Sequence, residues 1–173
     1  MKRLLLFVIV FAISSLCSLD AKENKLTLYS PDSRIEIHVE KDGDTLLYNV
    51  KCNSNDVILP SRVGLEIDNW VWEMALGKRD LAQPQSWMHL LHVDSVTYYP
   101  EVDETWQPLY GERSAVRDHY NSATLHMSRH DKSYYRLEME VRAYDQGVAF
   151  RYFFPEHPSA IFHKLVGDLT DYT

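Results

Sequence analysis

The chain has 173 residues, of which 45% are hydrophobic, 25% charged and 12% aromatic, and its formal net charge is −7. This is the composition of one globular domain and excludes a disordered or collagen-like chain. The acidic balance argues against binding to nucleic acid or to an anionic membrane surface, because both require a basic patch.

Residues 1–21 have the pattern of a secretory signal peptide. Lys2 and Arg3 precede an apolar run over 4–13, which is too short to cross a membrane as a helix. We expect cleavage after Ala21 and export to the periplasm or beyond the cell. Residues 22–173 would then form the mature domain.

A lipoprotein is the alternative interpretation of the same segment. In that case Cys17 would carry the lipid and tie the protein to a membrane, although Leu16 is a poor match to the small residue usually found before it. With the leader removed, Cys52 is the one remaining cysteine, so the sequence predicts no internal disulfide.

The dominant hydrophobic period is two residues, which is typical of half-buried β-strands. The alternation is clearest in RIEIHVE (34–40), YRLEMEVRA (135–143) and GVAFRYFF (147–154). Further strand candidates are TLLYNVKC (45–52), VGLEI (63–67), SATLHM (122–127) and IFHKLV (161–166). Short strands of this kind predict an all-β, antiparallel β-sandwich.

Turn signals separate these strands. An Asp-Gly pair within 41–44 and the Asp-Gln-Gly of 145–147 predict two hairpins, and 130–133 reads as a polar turn. Pro60 is expected to interrupt extended structure. The segment 71–83 allows at most one short helix, and DETWQPLYGER (103–113) reads as an irregular loop.

Three kinds of chemistry can be weighed on the residues alone. The eight histidines lack the dense spacing of a closed zinc site, so scattered surface positions are favoured. Glu101, Asp103, Glu104 and Glu112 could supply a glycosidase acid/base pair, but solvated loop charges are the default. Among the aromatics, Trp106 either stacks on a sugar ring or closes one end of the sandwich.

Two tryptophans raise a similar choice. Trp70 and Trp72 are two apart, so they share a face if their segment is a strand. They would then form either a flat stacking platform for sugar rings or part of the core or of an interface.

Five collinear blocks resemble the N-terminal domain of glycoside hydrolase family 97. These blocks are SPDSRIEIHVE (30–40), VILPSRVGLEI (57–67), ETWQPLYGE (104–112), HYN (119–121) and RAYDQGVAFRYFFPE (142–156). The resemblance implies a β-sandwich of the galactose-mutarotase-like super-sandwich type. It also implies an exported exo-acting α-glucosidase or α-galactosidase whose catalytic residues lie in a separate (β/α)₈ barrel.

The resemblance also suggests site residues. Residues of the matching blocks would face an α-linked oligosaccharide or glycoside, and these are Trp106, Tyr110, Glu112, His119 and Asn121. Tyr110 stands where the family usually has tryptophan. The family holds calcium in its active site, and DLTDYT (168–173) would place Asp168 where the N-terminal domain supplies one carboxylate ligand, normally a glutamate.

The resemblance therefore predicts an accessory domain with a catalytic barrel as its partner and no catalytic residue of its own. The sandwich is expected to be incomplete at its C-terminus. This chain alone is expected to be inactive, because the catalytic residues would lie in the barrel. The alternative is a stand-alone exported carbohydrate-binding or structural β-module. Sequence does not choose between glucoside and galactoside, or between retention and inversion.

Overall fold

The structure is a computed structural model that describes residues 25–67, 90–130, 134–158 and 163–173. In these ranges the chain forms ten β-strands and no α-helix. The strands are β1 (Lys25–Tyr29), β2 (Ile35–Asp42), β3 (Thr45–Cys52), β4 (Asn55–Arg62), β5 (Leu65–Ile67), β6 (Leu91–Trp106), β7 (Val116–Arg129), β8 (Arg136–Tyr144), β9 (Gly147–Phe153) and β10 (Leu165–Asp168).

The strands form two packed antiparallel sheets and one small strand pair. The first sheet has the order β1-β2-β3-β4, and we call it sheet A. The second has the order β6-β7-β8-β9, and we call it sheet C. β5 pairs with β10. β1 and β2 pack across β7, β8 and β9, so sheets A and C face each other. The predicted all-β antiparallel sandwich is confirmed.

The core lies between the two sheets and follows the predicted alternation. In β2, Ile35, Ile37 and Val39 are buried while their neighbours in the strand are more exposed. β8 repeats the pattern, because a strand directs successive side chains to opposite faces. The residues on the buried face of β8 are Leu137, Met139, Val141 and Ala143. The facing rows of side chains exclude water from the space between the two sheets.

Both predicted hairpins are present. β2 ends at Asp42 and β3 begins at Thr45. Gly43 between them has φ 55°, a left-handed conformation that glycine adopts without strain. The turn of Asp145 and Gln146 joins β8 to β9. A third two-residue hairpin joins β3 to β4 through Asn53 and Ser54, both at positive φ.

Two expectations about extended structure were wrong. β4 runs through Pro60, because Leu59 and Pro60 form a β-bulge opposite one residue of β3. A proline at a bulge costs no ladder hydrogen bond. The first part of DETWQPLYGER is likewise not a loop, because Asp103–Trp106 ends β6 and only 107–115 is irregular.

The segment 169–173 runs antiparallel beside β4 and the residues that follow it. Leu169 N donates to Gly64 O at 2.9 Å and Asp171 N to Arg62 O at 2.8 Å, while Leu59 N donates to Thr173 O at 2.9 Å. Tyr48 OH also donates to Asp171 O at 3.0 Å. The segment therefore covers the outer edge of β4.

Several predictions fall outside the described residues. They are the signal peptide at 1–21 with Cys17, the paired Trp70 and Trp72, the segment 71–83 and most of the turn at 130–133. They stay predictions.

Candidate functional site

A row of polar side chains continues the buried face of β7 beyond the core. Arg117, His119 and Asn121 have the same alternation phase as the buried Ala123 and Leu125. They lie at the end of sheet C that carries the β6–β7 loop and the β8–β9 turn. This end therefore presents charged groups where the rest of the face presents apolar ones.

Arg117 is held by Asp103 on the neighbouring strand. Its Nε donates to Oδ1 and its Nη2 to Oδ2 of Asp103, each at 2.7 Å. The hydrogen bond from Arg117 holds the pKa of Asp103 below its usual range. Such a two-pronged pair restricts both side chains. The side chain of Arg117 is consequently held in place, and the carboxylate of Asp103 is ionised and already paired with it.

His119 lies between two carboxylates. Its Nε2 is 2.8 Å from Oε1 of Glu101, and its Nδ1 is 3.5 Å from Oδ2 of Asp145. The hydrogen bond to Glu101 raises the pKa of His119; burial and Arg117 lower it, and Asp103 and Asp145 raise it. Nδ1 is buried and makes no hydrogen bond to any described residue. Glu101 therefore holds the imidazole, and Asp145 lies close to its second nitrogen.

A β-bulge brings Glu101 to His119. Between the register pairs formed by Tyr99 and Val102, the two residues Pro100 and Glu101 of β6 stand opposite one residue of β7. Bulges of this kind change the direction of a side chain and tolerate proline. The bulge places a carboxylate within hydrogen-bonding distance of the imidazole.

Contacts between turns tie the two sheets together at this end. Asp145 Oδ1 accepts a hydrogen bond from Asp32 N at 2.9 Å, and Asp145 O accepts one from Arg34 Nη2 at 3.3 Å. Asn121 Nδ2 donates to Tyr29 O at 2.9 Å. The β1–β2 turn of sheet A is thus joined to the β8–β9 turn of sheet C.

A cavity of about 460 Å³ lies beside this network. The β6–β7 hairpin contributes Arg113, Ala115, Val116, Arg117 and His119 to its wall, and the β8–β9 hairpin contributes Tyr144, Asp145, Gln146, Gly147 and Val148. Arg113 is exposed and forms no hydrogen bond or ion pair with another described residue. The wall therefore offers an uncommitted guanidinium beside an imidazole and a carboxylate.

The structure brings together only some of the predicted site residues. His119 and Asn121 share the face of β7 described above. Trp106 is 52% exposed at the end of β6 and pairs with Val116, on the opposite face of the hairpin from Arg117. Tyr110, which is 90% exposed, and the exposed Glu112 lie in the loop 107–115.

Asp168 lies apart from this group, at the end of β10. Its Oδ1 accepts hydrogen bonds from Thr170 N at 3.0 Å and Thr170 Oγ1 at 2.6 Å. The bond from the Thr170 hydroxyl, followed by the bond from its N–H, lowers the pKa of Asp168. The carboxylate is therefore ionised and engaged in a local turn.

The described residues contain no cluster of three or more His, Cys, Asp or Glu side chains able to hold a metal ion. One histidine within β7 and another just after its end instead pair with carboxylates of neighbouring strands. His126 Nδ1 is 3.1 Å from Glu138 Oε1, and His130 Nε2 is 2.9 Å from Asp94 Oδ1.

Sequence reasoning missed Arg117 and Asp145 as site residues. Arg117 stands two positions before His119 and thus on the same face, a signal that strand alternation could have provided. The sequence places Asp145 only in a hairpin turn. It allows Glu101 and Asp103 to be either acid/base residues or solvated charges, and the structure pairs them with His119 and Arg117.

We expect stability to depend on pH through His119. Its folded pKa is raised above the usual value of about 6.5, so its contribution is complete below that value and is lost as pH rises through the folded pKa. The melting temperature of the wild type should exceed that of His119→Gln by more near pH ~5.5 than near pH ~8.5.

Melting of both proteins by circular dichroism at the two pH values measures this difference. Because both keep the other histidines, their shared titrations cancel in the comparison. A difference in melting temperature between the two proteins that is equal at both pH values, or larger at the alkaline pH, would contradict the role assigned to the Glu101 contact.

None of the described residues forms a helix long and apolar enough to span a membrane.

The fold and the cavity together define an antiparallel β-sandwich domain with a polar site at one end. Residues 28–173 match the family model described as Glycosyl-hydrolase 97 N-terminal, so the chain belongs to glycoside hydrolase family 97 and represents its N-terminal domain. The resemblance inferred from the five sequence blocks is confirmed.

Individual relatives agree with this assignment. The chain is 30% identical over 139 residues to a retaining alpha-galactosidase of Bacteroides thetaiotaomicron, an alignment that covers 79% of this chain and 18% of that protein. A family 97 enzyme of Pseudoalteromonas sp. strain K8 in complex with panose has a TM-score of 0.67 at 24% identity, over 85% of this chain and 20% of that one.

A third protein shares the fold. The crystal structure of a beta-arabinopyranosidase gives a TM-score of 0.64 at 18% identity, over 84% of this chain and 20% of that one. At this identity the likeness concerns the fold alone. The present chain spans about a fifth of the length of each of these relatives.

Proposed function

We propose that this chain is the carbohydrate-binding accessory domain of an exported α-glycosidase. In this proposal the domain packs against a catalytic barrel and shapes the pocket for an α-linked oligosaccharide or glycoside. The family assignment supports it, as does the chain's coverage of about a fifth of an alpha-galactosidase and of an enzyme solved with panose. Export through residues 1–21 is part of the same proposal.

The cavity at the end of sheet C is the observation that carries the proposal. Its wall combines guanidinium, imidazole and carboxylate groups, which are donors and acceptors suited to the hydroxyl groups of a sugar. The pairs Arg117–Asp103 and His119–Glu101 hold these groups in place before a ligand arrives. These paired side chains therefore require little further ordering when a ligand binds.

The loop 107–115 extends the proposed binding surface. Tyr110 and Leu109 are 90% and 99% exposed there, so their apolar surface is available to a ligand or to the barrel. We keep Trp106, Tyr110 and Glu112 as proposed substrate-facing residues. Trp106 would act from the outer face of the hairpin, separately from the cavity.

We propose Asp168 as at most one ligand of a calcium ion. Its ionised carboxylate suits a hard cation, and its Oδ1 is already used by Thr170. The remaining ligands would come from outside the described residues. When bound, calcium would supply a positive charge near the scissile bond.

Binding of panose and of the α-galactoside melibiose tests the proposal by isothermal titration calorimetry. Arg113→Ala should weaken binding about tenfold, because it removes a charged donor that makes no hydrogen bond or ion pair with another described residue. Lys51→Ala removes the same charge from the outer face of sheet A and should leave affinity unchanged. No binding of either sugar, or equal losses in the two variants, would refute the proposed cavity.

Catalysis is expected to be absent from this chain alone. The purified protein should not hydrolyse nitrophenyl α-glucoside or α-galactoside in the presence of calcium, since the proposed catalytic residues belong to the barrel. Turnover above that of a mock preparation would overturn this part of the proposal. If both sugars bind and neither substrate is cleaved, Trp106→Ala then tests stacking through loss of the sugar-induced fluorescence change.

A further inference from the structure

A second groove lies on the outer face of β8 and β9. Its volume is about 210 Å³, and the residues that line it are Glu140, Arg142, Tyr144, Ala149, Phe150 and Arg151. Glu140 and Arg142 alternate with the buried Val141 and Ala143 of β8, so they point away from the core. The groove is therefore on the opposite face of the sheet from the His119 network.

One carboxylate accepts hydrogen bonds from two guanidinium groups in this groove. Arg142 Nε donates to Glu140 Oε1 at 2.7 Å, and Arg151 Nε donates to Glu140 Oε2 at 2.6 Å. Burial of Glu140 would raise its pKa, but the hydrogen bonds from both arginines lower it overall. The three side chains thus carry a net positive charge on a protein whose formal charge is −7.

Both arginines are held in position. The guanidinium of Arg142 lies 4.3 Å from the ring centroid of Tyr120, and the neighbouring Tyr144 and Glu140 side chains raise its pKa. Arg151 contacts Glu140 through Nε and Nη2, and its side chain is 71% exposed. Its Nη1 amino group forms no hydrogen bond with another described residue and is a donor available to a ligand.

We propose that this groove binds a sugar that carries a carboxylate, a uronic acid unit. The carboxylate would accept hydrogen bonds from Arg151 and Arg142, whose planar donor groups match its geometry. The sugar ring would lie against Tyr144 in a groove that has room for one monosaccharide. This site lies on the opposite face of sheet C from the cavity proposed for neutral α-glycosides, with Tyr144 at the border of both, and it takes a ligand of different charge.

Titration of the full chain with a galacturonic acid dimer tests the proposal. The size-matched neutral galactose dimer and sodium sulfate are titrated for comparison. The acidic dimer should bind at least about tenfold more tightly than the neutral one. Arg151→Ala should remove this preference without changing the melting temperature, because the side chain is largely exposed. Arg151→Lys should restore only part of it, since lysine lacks the planar donor pair.

Lys51→Ala is the matched control, because it removes one positive charge from the outer face of sheet A. Affinity for the acidic dimer should be unchanged in that variant. Equal loss in Lys51→Ala and Arg151→Ala would overturn the proposal in favour of general electrostatic attraction. Sulfate binding as tight as that of the acidic dimer, or equal losses of acidic-dimer and neutral-dimer binding in Arg151→Ala, would overturn the assignment of a uronic acid ligand.

Discussion

Replacing Leu125 with alanine should lower the free energy of unfolding by about 2–5 kcal/mol. Leu125 is fully buried in β7, between Val96 of β6 and Met139 of β8 in the sheet register. Truncation to alanine removes apolar contacts and leaves a cavity that the two packed sheets can fill only partly. Urea denaturation followed by circular dichroism measures the change.

Leu109→Ala is the control for the same chemical change. Leu109 is 99% exposed in the loop after β6, so its truncation should change the free energy of unfolding by less than about 0.5 kcal/mol. Similar effects in the two variants would mean that β7 is not the centre of the packed core. The pair therefore tests the placement of sheet C against sheet A.

Replacing Asp171 with proline should cost about 1–3 kcal/mol of stability. Asp171 N donates to Arg62 O at 2.8 Å, in the segment that covers the outer edge of β4. Proline has no N–H group, so the Arg62 carbonyl loses this partner and the segment is weakened beside β4. The neighbouring contact between the rings of Tyr172 and Tyr48, at 6.5 Å, should loosen as well.

Asp171→Ala separates the backbone effect from that of the side chain. The carboxylate of Asp171 lies 3.3 Å from Arg62 Nε, but both side chains are about half exposed, so this ion pair contributes little. Alanine should therefore be close to wild type in denaturant melts. If alanine and proline destabilise the protein equally, the hydrogen bond to Arg62 does not hold the segment in place.

Strands with one buried face could be predicted, whereas strands exposed on both faces could not. β2 and β8 alternate between core and solvent along their whole length, and the sequence shows that period directly. β6 is exposed on both faces over most of its length, so charged and aromatic residues occupy both phases. Without a buried face there is no period to detect.

The two prolines within strands illustrate a related difficulty. Pro60 and Pro100 both lie in β-bulges, where the missing N–H group is not needed for the ladder. A local rule treats proline as a break in extended structure. Only the pairing with the next strand shows that each strand continues beyond its proline.

The residues of the candidate site also fall into those that the sequence could indicate and those that it could not. His119 belongs to a sequence block that resembles the family, so it could be proposed as a site residue before its neighbours were known. Its partners Glu101 and Asp145 come from a bulge and from a hairpin turn, and neither position has a sequence signal for this contact. The structure also separates Trp106 from this group, because register rather than proximity in sequence decides which face a side chain occupies.

The faces of strands with one buried side, the two predicted hairpins and the family membership follow from the sequence alone, because alternation, turn residues and motif blocks are visible in the order of the residues. The cavity, the arginine groove and the covered edge of β4 depend on the tertiary structure. Asp145 meets Asp32, 113 positions away, only because sheets A and C pack with these two turns at the same end. That placement is set by the packing of both sheets against a shared core, and no local pattern encodes it.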